Sequence, residues 1–176
     1  MANSRPYSLV DYDPDWVNRY NFHAEKIKDI LGPVVLEVHH IGSTSIPGMM
    51  AKPNIDIEVV VSSLAEVRKL SPKMAEAGYT PRGDYSKIGE EYFTEDADNG
   101  ERLTSIHILP LGNPDIRMQL NFRDYLRTHN EDKMLYMETK RRLFDQYQND
   151  YSSYDSGKKD VIEAIKKRAE LWAKNQ

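Results

Sequence analysis

The chain has 176 residues, of which 39% are hydrophobic and 30% charged, a composition typical of one globular domain with a sizeable core. A net charge of −4 gives no sign of a general nucleic-acid or membrane-surface binder, and the absence of cysteine excludes disulfide and thiolate chemistry. The first ten residues and the rest of the chain lack the apolar runs of a signal peptide or membrane helix. We therefore expect residues 1–176 to form one cytoplasmic domain without membrane contact.

The N-terminal third predicts one helix followed by two strands. Asp13-Pro14 pairs an N-cap residue with a proline suited to the first helical position, and Gly32-Pro33 ends the helix. The hydrophobic run 34–38 predicts a buried strand. The run 55–61, Ile-Asp-Ile-Glu-Val-Val-Val, predicts a second strand after an ordered loop rich in Gly, Ser and Pro.

The middle of the chain predicts a helix and three strands. Ser63 and Glu66 form a capping-box pattern that starts the helix, and Pro72 predicts a break or a fresh start within it. The expected strands lie at 79–82, around 90–94 and at 104–109, with a turn-like acidic tip at 96–100.

The C-terminal part predicts helices only. Asn113-Pro114-Asp115 supplies a cap, a first-turn proline and a first-turn acid to a helix that runs through Arg127. Two more helices are expected at 131–147 and 156–174. Because strands come first and helices gather at the end, the order favours an α+β fold with a mixed, mostly antiparallel sheet and flanking helices.

Two carboxylates on the second predicted strand are the sharpest chemical feature. Asp56 and Glu58 share a face of the strand, where they are tolerated when solvated, protonated or bridged by a cation. The turn at Gly42 and Ser43 offers backbone N–H groups to a phosphate. Together they predict a site for metal-assisted phosphoryl or nucleotidyl transfer. The alternative is two solvated acids beside an ordinary turn.

Further candidates are polar or basic. Thr44 and Ser45 either donate to a phosphate or cap a short helix, and Lys52 is either a point charge beside a phosphate or a surface lysine. Arg123 and Arg127 share a helix face, so they either grip a phosphate or form a structural ion-pair cluster.

Two histidines are also candidates for the site, and one common phosphate-binding motif is absent from the sequence. His40 and His107 lie on predicted strands, and each is a ligand, a general base or a satisfied core histidine. No Gly-x-x-x-x-Gly-Lys-Ser/Thr sequence is present, which argues against a P-loop kinase.

The loop and second strand carry a family resemblance. The pattern of Gly-Ser, a loop and then Asp-x-Glu resembles the nucleotidyltransferase signature. The strings His40-Ile-Gly-Ser-Thr-Ser-Ile-Pro-Gly48, Ala51-Lys-Pro53 and Ile55-Asp-Ile57 more narrowly resemble the GrpB family. The likeness also includes Tyr12-Asp-Pro14, Trp16, Phe122-Arg-Asp-Tyr-Leu-Arg127, Tyr136 with Lys140, and Tyr154 with Lys158.

The resemblance implies a nucleotidyltransferase-like fold and, if the protein is an enzyme, transfer from a nucleoside triphosphate to an unknown acceptor. Asp56 and Glu58 would then hold Mg²⁺ or Mn²⁺. The alternative is a non-catalytic accessory protein that binds a nucleotide or another phosphorylated small molecule and serves a protein partner. GrpB-type segments occur fused to dephospho-CoA kinases, which agrees with that alternative. A third reading is an interaction protein that keeps the motif only for structure.

The chain departs from the family pattern on its later strand. Relatives usually show His-x-His there, whereas this sequence has Ser105-Ile106-His107. Active nucleotidyltransferases generally place a third carboxylate on that strand, but residues 104–109 contain no acid. Glu90 or Glu91 is the nearest substitute in the sequence, so two-metal catalysis stays open at this point.

Overall fold

A five-stranded sheet organises the computed structural model, which describes residues 5–176. Its strands are β1 (Val35–Ile41), β2 (Ile55–Val61), β3 (Thr80–Gly83), β4 (Glu91–Asp96) and β5 (Arg102–Pro110), in the order β1-β2-β5-β4-β3. Among the described strands, β2 and β5 form the one parallel pair. The predicted α+β fold with a mixed, mostly antiparallel sheet is therefore confirmed.

Within residues 5–176, six α-helices flank the sheet: α1 (Trp16–Leu31), α2 (Leu64–Glu76), α3 (Pro114–Thr128), α4 (Asn130–Gln146), α5 (Tyr151–Gly157) and α6 (Lys159–Lys174). Helices α1 and α2 share a hydrophobic core with the inward residues of β2 and β5, such as Ile57 and Ile106. A second core joins Ile46 and Met49, from the loop after β1, to α3, α4 and α6. No described helix is long and apolar enough to span a membrane.

Helices α1 and α2 each differ from the sequence prediction in one respect. Helix α1 begins at Trp16, because Asp13 accepts a hydrogen bond from the backbone N–H of Asp15 and forms a turn before the helix. Helix α2 continues through Pro72, since a proline removes one backbone hydrogen bond while Val67 and Met74 remain buried on either side. The predicted helix break is therefore wrong.

The last predicted helix, 156–174, begins later than predicted, at Lys159, and a short helix that the sequence did not predict precedes it. Tyr151–Gly157 and Lys159–Lys174 meet at Lys158, where the chain turns. A Cβ atom on Gly157 would lie 2.6 Å from Cδ2 of Leu143, so glycine allows α5 to approach α4 closely. The turn places α5 beside the cavity described below.

Candidate functional site

A cavity of about 460 Å³ lies where β2 and β5 meet the loop after β1 and the C-terminal helices. Among the described residues that line it, five are cationic and two are acidic: Arg5, Lys52, Lys140, Lys158 and Lys166, with Asp56 and Asp155. Aromatic side chains form much of the remaining wall: Tyr92, Phe122, Tyr136, Tyr151 and Tyr154. The excess of positive groups makes the cavity suited to an anion.

The floor of the cavity joins the Gly-Ser turn to the first acid of β2. Gly42 has φ +69°, a conformation that favours glycine, and a Cβ atom there would collide with the Asp56 carboxylate. The chain then forms a short 3₁₀ helix, Ser43–Ser45, in which Oγ of Ser45 donates to the carbonyl of Gly42 at 2.6 Å. The loop thus holds the Gly-Ser turn directly against Asp56.

Asp56 faces the cavity as a hydrogen-bonded carboxyl group. Nδ2 of Asn54 donates to its Oδ1 at 2.7 Å. Burial raises the pKa of Asp56, while His107 and Lys52 oppose that shift. The position of this acid is therefore fixed by Asn54, and burial outweighs the basic groups around the cavity, so its pKa stays above the usual value.

Glu58 does not line the cavity. Its side chain is completely buried, and neither carboxyl oxygen has a hydrogen-bond partner among residues 5–176. Burial raises its pKa to about 8, with Arg123 opposing the shift, so the carboxyl is mainly protonated at pH 7. The two acids of the motif therefore lie in different environments.

In the part of the chain that the structure describes, β5 places no third carboxylate beside this pair. In the parallel register, Ser105 is opposite Asp56 and His107 is opposite Glu58. Glu90 is buried behind His107, whose Nδ1 lies 2.7 Å from its Oε2.

Glu91, the second sequence candidate for a third carboxylate, is paired with an arginine of α2. Glu91 accepts from Nε of Arg68 at 2.5 Å. In the described part of the chain, no three His, Cys, Asp or Glu side chains group as they would around a metal ion. This donor set does not fit a two-metal centre.

Lys140 reaches the Gly-Ser turn from α4. Its Nζ donates to Oγ of Ser43 at 2.7 Å and to the carbonyl of Met50 at 2.6 Å, and the side chain is buried. Burial, followed by repulsion from Lys158 and Lys52, holds its pKa well below the usual value. An anion bound among these three lysines would offset their mutual repulsion and would raise the pKa of Lys140.

Lys158 approaches the same space from the end of α5. Its Nζ lies 3.0 Å from Oδ1 of Asp155 and 4.7 Å from the centre of the Tyr154 ring. Burial alone would lower its pKa, but Tyr136 and Asp155 outweigh burial and raise it. Lys158 is thus the lysine whose positive charge is best supported by its neighbours.

The third lysine belongs to the loop before β2. Nζ of Lys52 donates to the hydroxyl of Tyr151 at 2.7 Å and lies 4.3 Å from the centre of that ring. Burial, together with Lys158, lowers the pKa of Lys52 to about 7, while Asp56 opposes the shift. Its charge therefore changes within the neutral pH range.

The two arginines of α3 lie outside the cavity lining. Arg123 donates to the carbonyl of His40 at 3.1 Å and pairs with Asp124. Arg127 donates twice to the carbonyl of Ser45, at 3.1 and 2.8 Å. Arg123 therefore binds the end of β1 and Arg127 the loop that follows it, both from outside the cavity.

His40 is part of the same support. It is buried and stacked on Tyr20, and its Nε2 lies 2.9 Å from Oγ1 of Thr44. Burial, followed by Arg127 and Arg123, lowers its pKa to about 4, so the ring is neutral at pH 7. The geometry makes His40 a buried partner of Thr44.

The structure divides the sequence candidates into two groups. Those that line the cavity are Gly42, Ser43, Thr44, Lys52, Asp56 and His107; those that do not are His40, Ser45, Glu58, Arg123 and Arg127. Sequence reasoning did not place Lys140 and Lys158 in the site. The available signal was the repeated Tyr-x-x-x-Lys spacing, since each lysine lies over the ring of its own tyrosine, at 4.4 and 4.7 Å.

Comparison with known proteins decides the family. The model of the family described as "GrpB protein" matches residues 6–168. This chain belongs to the GrpB family. It is 34% identical over 172 residues to the UPF0157 protein YqkA of Bacillus subtilis (strain 168), covering 98% of this chain and 50% of that protein. The chain thus spans half the length of this relative.

Two further comparisons concern the longer relatives and the fold. The dephospho-CoA kinase of Mycobacterium leprae (strain TN) is 30% identical over 196 residues, which cover 96% of this chain and 47% of the kinase. The crystal structure of the conserved protein GrpB from Enterococcus faecalis matches with a TM-score of 0.84 and 30% identity, covering 92% of this chain and 98% of that chain.

The nucleotidyltransferase-like fold is also shown. The GLD-2/RNP-8 complex matches with a TM-score of 0.55 and 10% identity, over 87% of this chain and 54% of that one. Cid1 in complex with its short product ApU matches with a TM-score of 0.52 and 14% identity, over 84% and 48%. At these identities the likeness is one of fold.

Proposed function

We propose that this GrpB-family chain binds a phosphorylated small molecule in the lysine-lined cavity. One observation carries the proposal: the buried ammonium group of Lys140 donates to Ser43 at the Gly-Ser turn, inside a cavity with an excess of cationic side chains. A buried lysine is costly unless an anion or several acceptors compensate it. A phosphate, with its several acceptor oxygens, is the anion that suits such a cluster.

Each part of the cavity has a distinct task in this proposal. Lys52, Lys140 and Lys158 supply charge from three separate elements, so a phosphate that binds among them is held from several directions. The Gly42–Asp56 contact keeps the turn close to β2. Aromatic walls such as Tyr92 and Tyr151 suit the organic part of the ligand.

The proposal is tested by thermal stabilisation of the whole chain. The panel compares adenosine with its mono-, di- and triphosphate, and adds inorganic pyrophosphate and phosphorylated coenzyme A precursors. We expect phosphorylated members to raise the melting temperature and adenosine to leave it unchanged, because the lysines select the phosphate.

Two lysine variants make that panel specific to the cavity. Lys158→Met removes the charge from the lining, and Lys167→Met removes the charge from an exposed position of α6. Stabilisation should be lost in the first variant and kept in the second. Equal stabilisation of both variants would contradict the proposed site.

A second candidate function is nucleotidyl transfer from a nucleoside triphosphate to an unknown acceptor. The unpartnered carboxyl oxygens of Glu58, two positions from Asp56, favour it, since a single Mg²⁺ or Mn²⁺ ion would give those oxygens a partner. Such an ion would neutralise phosphate charge. The test is release of pyrophosphate from triphosphates in the presence of either ion, with Asp56→Asn as the variant that should lose it.

A further inference from the structure

We infer that lysine ammonium groups, and no divalent cation, neutralise the phosphate charge in this cavity, so that the ligand is a phosphate ester free of bound metal. The inference rests on the proposed function and specifies its ligand class. It also opposes the second candidate function, which needs a divalent ion.

The acids around the cavity are poorly arranged for a metal ion. Asp56 lines the cavity, whereas Glu58 is completely buried and lies outside the lining. The strand next to β2 presents Ser105 and His107, and His107 is bonded to the buried Glu90. The other acid of the lining, Asp155, is paired with Lys158 at 3.0 Å. A phosphate-bound Mg²⁺ ion would thus find one lining carboxylate on the sheet, where two-metal enzymes supply several.

The ammonium groups occupy the place where such an ion would act. Lys140 donates directly to Ser43 of the Gly-Ser turn, at 2.7 Å. Lys52 and Lys158 line the same cavity as Asp56. Lysine side chains from one loop, from α4 and from the end of α5 therefore share the cavity with the acid that a metal ion would need.

The charge balance selects the free phosphate ester. Five cationic side chains and two acids line the cavity in the described part of the chain. A phosphate monoester carries about two negative charges at neutral pH and would offset most of that excess. The magnesium complex of the same ligand carries less negative charge and adds a cation beside the lysines, which is unfavourable in a partly buried site.

The test is isothermal titration of the whole chain with ADP, in excess EDTA and in excess MgCl₂. Four proteins are titrated: wild type, Asp56→Asn, Lys140→Met and the surface control Lys167→Met. Circular dichroism confirms that each variant is folded. Lys140→Arg is added because Lys140 is buried, so that a folding defect in Lys140→Met does not leave the lysine untested.

The inference predicts binding in EDTA and weaker binding in MgCl₂. Asp56→Asn should bind more tightly than wild type in EDTA, because the variant removes a negative charge from a site for an anion. Lys140→Met should bind about tenfold or more weakly, as expected for a lost charge-assisted hydrogen bond. Lys140→Arg should recover part of the affinity, and Lys167→Met should match wild type.

Two other results have separate meanings. Binding that requires Mg²⁺ and disappears in Asp56→Asn would overturn the inference while leaving ligand binding in the cavity intact. The absence of binding by wild type to ADP, and to every other phosphorylated compound of the thermal panel, in both conditions would overturn the proposed function and the inference together.

Discussion

Nζ of Lys140 lies 2.7 Å from Oγ of Ser43, although the two residues are 97 positions apart in the chain. The same ammonium group donates to the carbonyl of Met50, so one side chain ties α4 to both ends of the loop after β1. This contact connects a helix of the C-terminal part to the Gly-Ser turn of the N-terminal part. Loop stability and ligand binding should therefore depend on the same residues.

Because Gly42 is in close contact with Asp56, adding a single methyl group at position 42 should lower the free energy of unfolding substantially. Gly42→Ala introduces both an unfavourable positive φ and a collision with the Asp56 carboxylate. Gly112→Ala is the matched control, because Gly112 has φ +90° with no atom within 4 Å of the added Cβ.

Urea unfolding separates these two effects. Gly112→Ala should cost about 1–2 kcal/mol of the free energy of unfolding, and Gly42→Ala about 1 kcal/mol or more beyond that. Equal costs for both variants would show that the turn and Asp56 are not in close contact in solution.

Arg127 is expected to act on the loop and not on the ligand. Arg127→Ala removes two hydrogen bonds to the carbonyl of Ser45 and should lower the free energy of unfolding by about 1–2 kcal/mol. Arg141→Ala, at an exposed position of α4, is the control and should change stability little. Stability comes from urea unfolding and affinity from titration with ADP; loss of affinity without loss of stability would indicate a direct contact with phosphate.

The raised pKa of Glu58 predicts that the folded chain loses stability as the pH rises. Its pKa is about 8 in the folded chain and 4.5 as the ordinary value, so between these values the folded state binds more protons than the unfolded state. The free energy of unfolding should then fall by up to about 1.4 kcal/mol per pH unit for this one group. The contribution is present at acid pH and is lost as the pH rises through about 8.

The variant Glu58→Gln removes that dependence. Its amide has the shape of the protonated carboxyl and does not ionise, so unfolding measured at pH 6 and pH 8 should differ less than in wild type. Glu138→Gln changes an exposed carboxyl and should keep the wild-type slope. An unchanged slope in Glu58→Gln would mean that Glu58 ionises in the folded chain as it does in the unfolded one.

Ligand binding should take up protons near neutral pH. The pKa of Lys52 is about 7 and that of Lys140 is well below its usual value, and a bound anion would raise both. Affinity should therefore fall as the pH rises through the pKa that each lysine has in the complex. Titrations with ADP in buffers of different ionisation enthalpy measure the protons directly, and Lys52→Arg should take up fewer. Proton release on binding would contradict this account.

Local sequence signals predicted most of the fold. Ser63 accepts from the N–H of Glu66 at 3.3 Å and Asn113 from that of Asp115 at 2.9 Å, as the capping patterns indicated. Alternation also placed Asp56 on the face of β2 opposite the hydrophobic core. These features depend on neighbours in the chain, so short patterns are enough to predict them.

The candidate site was less predictable because it depends on how distant elements pack. Lys140 and Lys158 are far from the loop in sequence, and helical periodicity does not say which sheet edge a helix will cover. The direction of Arg127 was open for the same reason: a shared helix face fits a phosphate and a carbonyl equally well. The different environments of Asp56 and Glu58 also arise from α3 and the loop, since alternation treats both acids alike.

The most direct measurement is a crystal structure of the protein soaked with tungstate, an anion of phosphate-like geometry whose anomalous signal gives its position. We predict a peak in the cavity within hydrogen-bonding distance of Lys158 and of Lys140 or the Ser43 turn. A peak bound by Arg123 and Arg127 outside the cavity, or none near these lysines, would contradict the claim that they form the phosphate site.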